Sequence, residues 1–422
     1  MAVSTGVLFA PVLVTGAGPA PRRGRDMERL DVVRDAALAW RDGLVTYAGP
    51  RDGFVAEGEA GGRTFQASGA VLPGFVDCHT HLPFFGWRAD EFEARLAGRT
   101  YRDLHGSGGG IARSARLLAG AADEEVMEFC APLATEMLAH GTTAVELKTG
   151  YGLSVGAELR QARLARRLGS EIAQTATVTL LACHAVPSGM DREGWVERSC
   201  RELIPAAASE GLADAVDVYV EDIAFSVDDF RRVAEVAAEH GLAVRCHADQ
   251  LGPSGAAEAA VEAGASNADH LNHLSAEGVA ALGSGRTAAV LLPVADLFTR
   301  ERPPPYAELL EAGAAVAVAT DFNPGTSPCL SIPEAMSVAA SLYRMTPAAA
   351  LAATTINAAS ALGLRDRVGS LEPGKQADFV VLDGPDVPMI PYRPGHNPVI
   401  ETWIGGERLS SARLASPSRL LE

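Results

Sequence analysis

At 422 residues, with 47% hydrophobic and 21% charged side chains, the chain is long enough for one large domain plus a small one and has the make-up of an ordinary globular enzyme. A net charge of −17 excludes a nucleic-acid binder, which needs a basic face, and makes any anionic substrate depend on a local arginine. No run reaches the roughly 18 apolar residues of a membrane span. The apolar start, Met1–Gly18, lacks a basic n-region, and the six cysteines form no C-x-x-C pair, so a reducing, cytoplasmic location without membrane or nucleic-acid partners is expected.

In chain order, residues 1–66 read as short strands, Gly6–Thr15, Ala36–Trp40 and Leu44–Ala48, followed by a glycine-rich stretch at 58–62. Residues 369–422 read similarly, with strands at Ala377–Leu382 and Val399–Ile404. Strands this short bury a core only by pairing. The two ends therefore predict a small β-sandwich domain formed from both termini, 1–66 with 369–422.

The middle, 67–368, opens on Val71–Leu82: strand formers broken by a Pro73-Gly74 turn and ending in His79-x-His81. Side chains alternate along a strand, so His79 and His81 point the same way and can grip one metal ion. Asp77 shares that parity and is placed to orient a ligand. Residues 106–113 are glycine-rich; no Gly-Lys-Ser/Thr follows, so they read as a loop at the site and not as a phosphate cradle.

From there strands alternate with helices. Strand runs fall at Phe75–His79, Thr142–Leu147, Thr175–Cys183, Ala215–Val220, Ala243–Cys246, Ser266–His270, Ala288–Leu292 and Ala315–Ala319. Helical runs fall at Glu124–His140, Val155–Leu168, Val227–His240, Gly255–Ala263 and Tyr306–Ala312, several stopped by a glycine. About eight such units predict an α/β fold, a (β/α)8 TIM-like barrel, whose active site lies at the C-terminal strand ends. Those ends carry, in order, His79 and His81, then Glu146 and Lys148, His184, Glu221, His247, Asp269 and His270, and finally Asp321. Three imidazoles and a carboxylate suit Zn2+ or Fe2+ with a position left for water.

These motifs carry a resemblance. Pro73-Gly74-Phe75-Val76-Asp77-x-His79-x-His81 is similar to the first-strand signature of the amidohydrolase superfamily, and Asp321 after an apolar strand matches its last ligand. Val368-Gly369-Ser370-Leu371-Glu372-Pro373-Gly374-Lys375-x-Ala377-Asp378 matches its return to the β domain. Finer motifs resemble the imidazolonepropionase family of histidine degradation over nearly the whole chain. They are Arg88–Glu93, Gly108–Ile111, Glu146–Leu153, His184–Pro187, His247–Gln250, Ala268–Leu271 and Asp321–Ser327.

The resemblance implies one divalent metal ion, Zn2+ or Fe2+, on His79, His81, His247 and Asp321, and a small-molecule substrate. It implies a hydrolase that opens the ring of 4-imidazolone-5-propanoate to N-formimidoyl-L-glutamate. Arg88, Tyr101, Tyr151 and His184 match positions that hold the substrate; Asn323, Gly325 and Thr326 match the loop around the product. Asp321 is expected to carry the proton and His270 to stabilise the oxyanion. Gln250 falls among both catalytic and substrate-binding positions, although an amide cannot act as a general base. Lys148 is not the bridging lysine of two-metal relatives, since it lies on the second strand. It reads as a structural or substrate-side charge paired with Glu221. Two departures stand out: Trp87 beside Arg88, able to stack on the ring or to crowd it, and Val218-Tyr219-Val220-Glu221 in place of Phe-Cys-Glu. The alternatives are a deaminase or hydrolase of another small cyclic amide or amidine acid, and a catalytically dead scaffold, which has no need of an intact ligand set. A homodimer is left open.

Overall fold

The computed structural model describes residues 5–55, 62–100, 103 and 108–409. The ends of this span build one sheet. Its strands are β1 (Gly6–Val14), β2 (Val32–Arg41), β3 (Leu44–Pro50), β4 (Arg63–Gln66) and β5 (Ala70–Pro73), and they are completed by strands near the C-terminus. The middle supplies the parallel strands β6 (Phe75–Asp77), β7 (Thr142–Lys148), β8 (Thr175–Cys183), β9 (Ala215–Val220), β10 (Ala243–Ala248), β11 (Asn267–His270), β12 (Ala288–Leu291) and β13 (Val316–Val318). Then β14 (Phe379–Leu382), β15 (Val399–Ile404) and β16 (Glu407–Leu409) return to the first sheet.

The terminal sheet runs β16-β15-β14-β5-β1-β2-β3, with β4 beside β1. Both termini thus build the expected separate β domain, its strands hydrogen-bonded along one continuous path. It curls until Trp40 of β2 meets Trp403 of β15, ring centroids 5.7 Å apart, with Phe65 and Phe379 packed between. These rings enclose a core with Leu8, Leu38 and Val381, all buried. The stretch Val71–Leu82 is shared between the sheets. Val71 and Leu72 pair with β1 and β14, whereas Phe75–Asp77 start the barrel. Gly74 marks the crossing: its backbone comes so close to β7 that a Cβ there would collide with the Thr143 side chain.

The barrel strands are adjacent in chain order from β6 to β13, each parallel to the next. The expected helices form within three residues of their predicted ends, at Asp123–Ala139, Val155–Glu171, Val227–Glu239, Ala256–Glu262 and Tyr306–Glu311. Ser154 and Ser226 accept the free N–H groups at two of their starts. Of the glycine-rich loop expected at 106–113, residues 106 and 107 lie outside the described residues, and from Gly110 the chain is helix (Gly110–Gly120), with Glu91 accepting from the Gly110 N–H. No helix of the described residues is long and apolar enough to cross a membrane.

No ladder joins β6 to β13, each only three residues long. The seam is closed by side chain and bridge instead. Asp77 accepts from the Thr320 N–H (3.1 Å) and hydroxyl (2.6 Å), and the His81 N–H donates to the Phe322 carbonyl (2.9 Å). Burial pushes the Asp77 carboxyl up to about 7 in spite of those donors. Asp77→Ala strands two buried donors at about 1–3 kcal/mol each. It is expected to lower the chemical-denaturation midpoint and to loosen the Asp321 loop. Unchanged amide-exchange protection at Thr320 and Phe322 in the variant would refute this account of the seam.

Candidate active site

Of the predicted strand-end groups, His79, His81, His184, His247, His270 and Asp321 meet at one mouth of the barrel, whereas Glu146, Lys148 and Asp269 lie deeper inside it and Glu221 binds the Gln250 turn. His270 (φ +76°) and Asp321 (φ +54°) end their strands in the left-handed region, where residues other than glycine are uncommon and which is enriched at functional sites. His79 Nε2 lies 3.3 Å from His81 Nε2 and 3.5 Å from Asp321 Oδ1, and His81 Nε2 lies 3.2 Å from the same carboxylate oxygen. The His247 and His270 rings sit 4.6 and 5.7 Å from His79. One nitrogen or oxygen from each of His79, His81 and Asp321 falls within 4.8 Å of the others, and the same holds for His79, His247 and His270. His247 Nε2 is buried with no hydrogen-bond partner among the described residues. Imidazole nitrogens and one carboxylate meeting at a point, some of them unpartnered, fit one divalent cation.

The charge states agree with that use. Burial holds His79 well below its ordinary value and brings His270 down to about 3, so both are neutral imidazoles with a lone pair to give. For Asp321 burial pulls upward, but the hydrogen bond and charge of His81 outweigh it and keep the carboxyl ionised.

Beside this cluster lies a cavity lined by Arg88, Ile111, Tyr151, His184, Tyr219, Gln250, Asn323 and Thr326. Of the expected substrate positions, Tyr101 lies outside the described residues, and Gly325 sits under Arg88. A Cβ on Gly325 would overlap the Arg88 guanidinium, so its bare backbone is the arginine's seat. Asn323 spends its side chain on the loop, accepting from the Gly325 N–H (2.9 Å) and Thr326 N–H (2.8 Å) and donating to the Asp321 carbonyl (2.7 Å). His184 Nδ1 donates to the Gly150 carbonyl (3.0 Å), which leaves Nε2 as an acceptor, and its ring stacks on His81 at 5.4 Å.

Two expectations change. Lys148 does not pair with Glu221: it donates to Asp217 (2.7 Å) and Glu146 (3.1 Å) inside the barrel. Glu221 instead accepts from the backbone N–H groups of Gln250 (2.6 Å) and Leu251 (2.8 Å) and so holds the Gln250 turn. Trp87 does not line the cavity: its indole turns into Phe84, Phe129 and Phe322. Sequence reasoning passed over Tyr219, Asp217 and Arg245 as site elements. Their signal was present: a charged or polar residue at alternate positions of an apolar strand, as in Ala215–Val220 and Ala243–Ala248, faces the barrel interior. It also missed Glu158, which accepts from the N–H groups of Gly150, Gly152 and Leu153 and shapes the Tyr151 loop.

A parallel barrel with histidines and an aspartate at its mouth and a second sheet from both ends defines an amidohydrolase, an enzyme class that hydrolyses carbon–nitrogen bonds. The model of the amidohydrolase family matches residues 70–409. Among solved structures, E. coli guanine deaminase superposes with a TM-score of 0.74 at 16% identity, covering 96% of this chain and 99% of that one. A zinc-bound adenosine deaminase from Xanthomonas campestris gives 0.70 at 20%, covering 97% and 96%. These likenesses establish the fold. Imidazolonepropionase from Rhizorhabdus wittichii is 44% identical over 89% of this chain and 95% of its own length. The one from Rubrobacter xylanophilus is 44% identical over 90% and 92%. The chain belongs to the imidazolonepropionase family of amidohydrolases.

The Gly325 contact can be tested directly. Gly325→Ala is expected to displace the Arg88 guanidinium by an ångström or more in a crystal structure of the variant. An unmoved Arg88 would mean that the loop gives way and that glycine is not the seat.

Proposed function

We propose that this chain hydrolyses 4-imidazolone-5-propanoate to N-formimidoyl-L-glutamate, with one divalent ion, Zn2+ or Fe2+, on His79, His81, His247 and Asp321. The observation that carries the substrate is Arg88. Its side chain is 4% exposed, borders the cavity, and has Nε and Nη1 without hydrogen-bond partners among the described residues. Glu91 stands off at 3.7 Å. A buried guanidinium left open on the cavity side calls for an anion from the ligand, and the propionate carboxylate answers it with a charge-assisted fork. A deaminase acting on a neutral heterocycle has no use for that cation.

A divalent ion bound there supplies Lewis acidity, which lowers the pKa of water towards about 7 and draws charge from a carbonyl. The chain does the rest. Asp321, held ionised, takes a proton from the attacking water. The water oxygen joins the ring carbonyl carbon, and neutral His270 donates its one N–H to the developing oxyanion. The bond from that carbon to the ring nitrogen breaks, Asp321 returns its proton to the nitrogen, and the carbonyl leaves as a carboxylate. His184, with its proton fixed on Nδ1 by Gly150, accepts a ring N–H through Nε2. Tyr151 and Tyr219 wall the ring. Gln250 orients it by hydrogen bonding and moves no proton, its turn held by Glu221. Six cysteines without a disulfide support a cytoplasmic setting.

Imidazolone generated fresh from urocanate by a coupled hydratase should lose its ultraviolet absorbance with the purified protein, and mass spectrometry should find formimidoylglutamate. A metal-replete preparation that leaves it intact yet acts on another small cyclic acid would overturn the substrate while sparing the family. Arg88→Met should raise KM for the acid by the equivalent of about 2–5 kcal/mol at undiminished metal content; an unchanged KM would move the carboxylate elsewhere.

A further inference from the structure

Beneath the imidazoles, inside the barrel, charged side chains meet out of reach of water. Glu146 and Lys148 come from β7, Asp217 from β9 and Asp269 from β11, and all four side chains are 0% exposed. Arg245 of β10 pairs with Glu146, which also accepts from the Thr179 hydroxyl. No step of the reaction uses this group. Two of its carboxylates nevertheless touch the metal cluster: Asp269 Oδ2 lies 2.6 Å from His79 Nδ1, and Asp217 Oδ2 lies 3.0 Å from His247 Nδ1. Lys148 Nζ lies 2.7 Å from that same Asp217 oxygen and 3.7 Å from that same Asp269 oxygen.

We propose that Lys148 is a positioning residue for the metal: by holding Asp217 and Asp269 together it fixes the orientation of His247 and His79. The proposal rests on the reading of those two histidines as ligands. A carboxylate that receives the Nδ1 proton fixes the ring's tautomer and turns Nε2 toward the ion. Asp269 makes that hydrogen bond to His79, whereas Asp217 faces His247 Nδ1 as an ion-pair contact; the two carboxylates converge within 4.8 Å of each other and of His247, and without a cation between them they repel. The choice of cation is informative. Of 36 lysines and arginines only two are lysines, Lys148 and Lys375, so the composition runs strongly to arginine. A compact ammonium with three donors suits three carboxylates disposed around one point, whereas a planar guanidinium fork does not.

The test is metal affinity, read without substrate. Lys148→Met should bind Zn2+ about 10–100-fold more weakly in chelator competition, and its Co2+ form should show a shifted visible d–d spectrum, because the imidazoles no longer hold their angles. If Lys148→Met does not fold, Lys148→Gln, which keeps donors but no charge, carries the same measurement. A variant that melts earlier yet binds Zn2+ as tightly as the parent and gives the parent's Co2+ spectrum would show a purely structural lysine and overturn the proposal. His247→Ala separates the two readings. If it too binds like the parent, the ligand assignment itself falls; if it loses the metal while Lys148→Met keeps it, only the role of Lys148 falls.

Discussion

The structure depends on how the barrel is closed. Seven strand junctions are held by parallel ladders, which cost nothing beyond the pairing of backbone groups. The eighth, between β6 and β13, is held by Asp77 reaching across to Thr320. That junction is also where the proposed ligands sit: His79 and His81 follow one side of it and Asp321 follows the other. A full ladder there would keep both strands extended beyond Thr320 and carry Asp321 past the imidazoles. Ending both strands after three residues and crossing the gap with a carboxylate lets Asp321 turn into the left-handed region and meet His81 at 3.2 Å. The site is thus built from an incomplete sheet.

The interior of the barrel follows from the same choice. Most parallel barrels fill their centre with branched apolar residues. Here Glu146, Lys148, Asp217, Arg245 and Asp269 occupy it, and the apolar residues of the same strands face the surrounding helices. Burying charge is expensive, so such a core is held only where each group finds an opposite one. The return is directional: charged partners fix angles that methyl groups leave loose, and imidazoles stacked above them inherit those angles.

How much of this is legible in the sequence depends on the range of the interaction. The strand-end groups are readable because strand periodicity and chain order are local, and His79, His81, His184, His247, His270 and Asp321 all arrive where that reasoning sends them. Partnerships across the barrel are not local. Lys148 meets Asp217 and not Glu221 because neighbouring strands are staggered, and stagger leaves no mark on either strand alone. The placement of Trp87 is hidden for a related reason: its neighbour in sequence is Arg88, but the side that each takes is decided by Phe84, Phe129 and Phe322.

The terminal sheet sets a timetable for the molecule. Its central strand β5 is flanked by β1, made early, and by β14, which follows some three hundred residues later. While the ribosome works through the barrel, β5 therefore presents an open edge, and β6 waits beside it for Thr320. The β5–β14 pairing forms only once the last strands emerge. Until then that edge of β5 is an unpaired template of the kind that recruits foreign strands. The burden falls on the cell that makes the protein: slow elongation late in the message lengthens the interval in which that edge stays open.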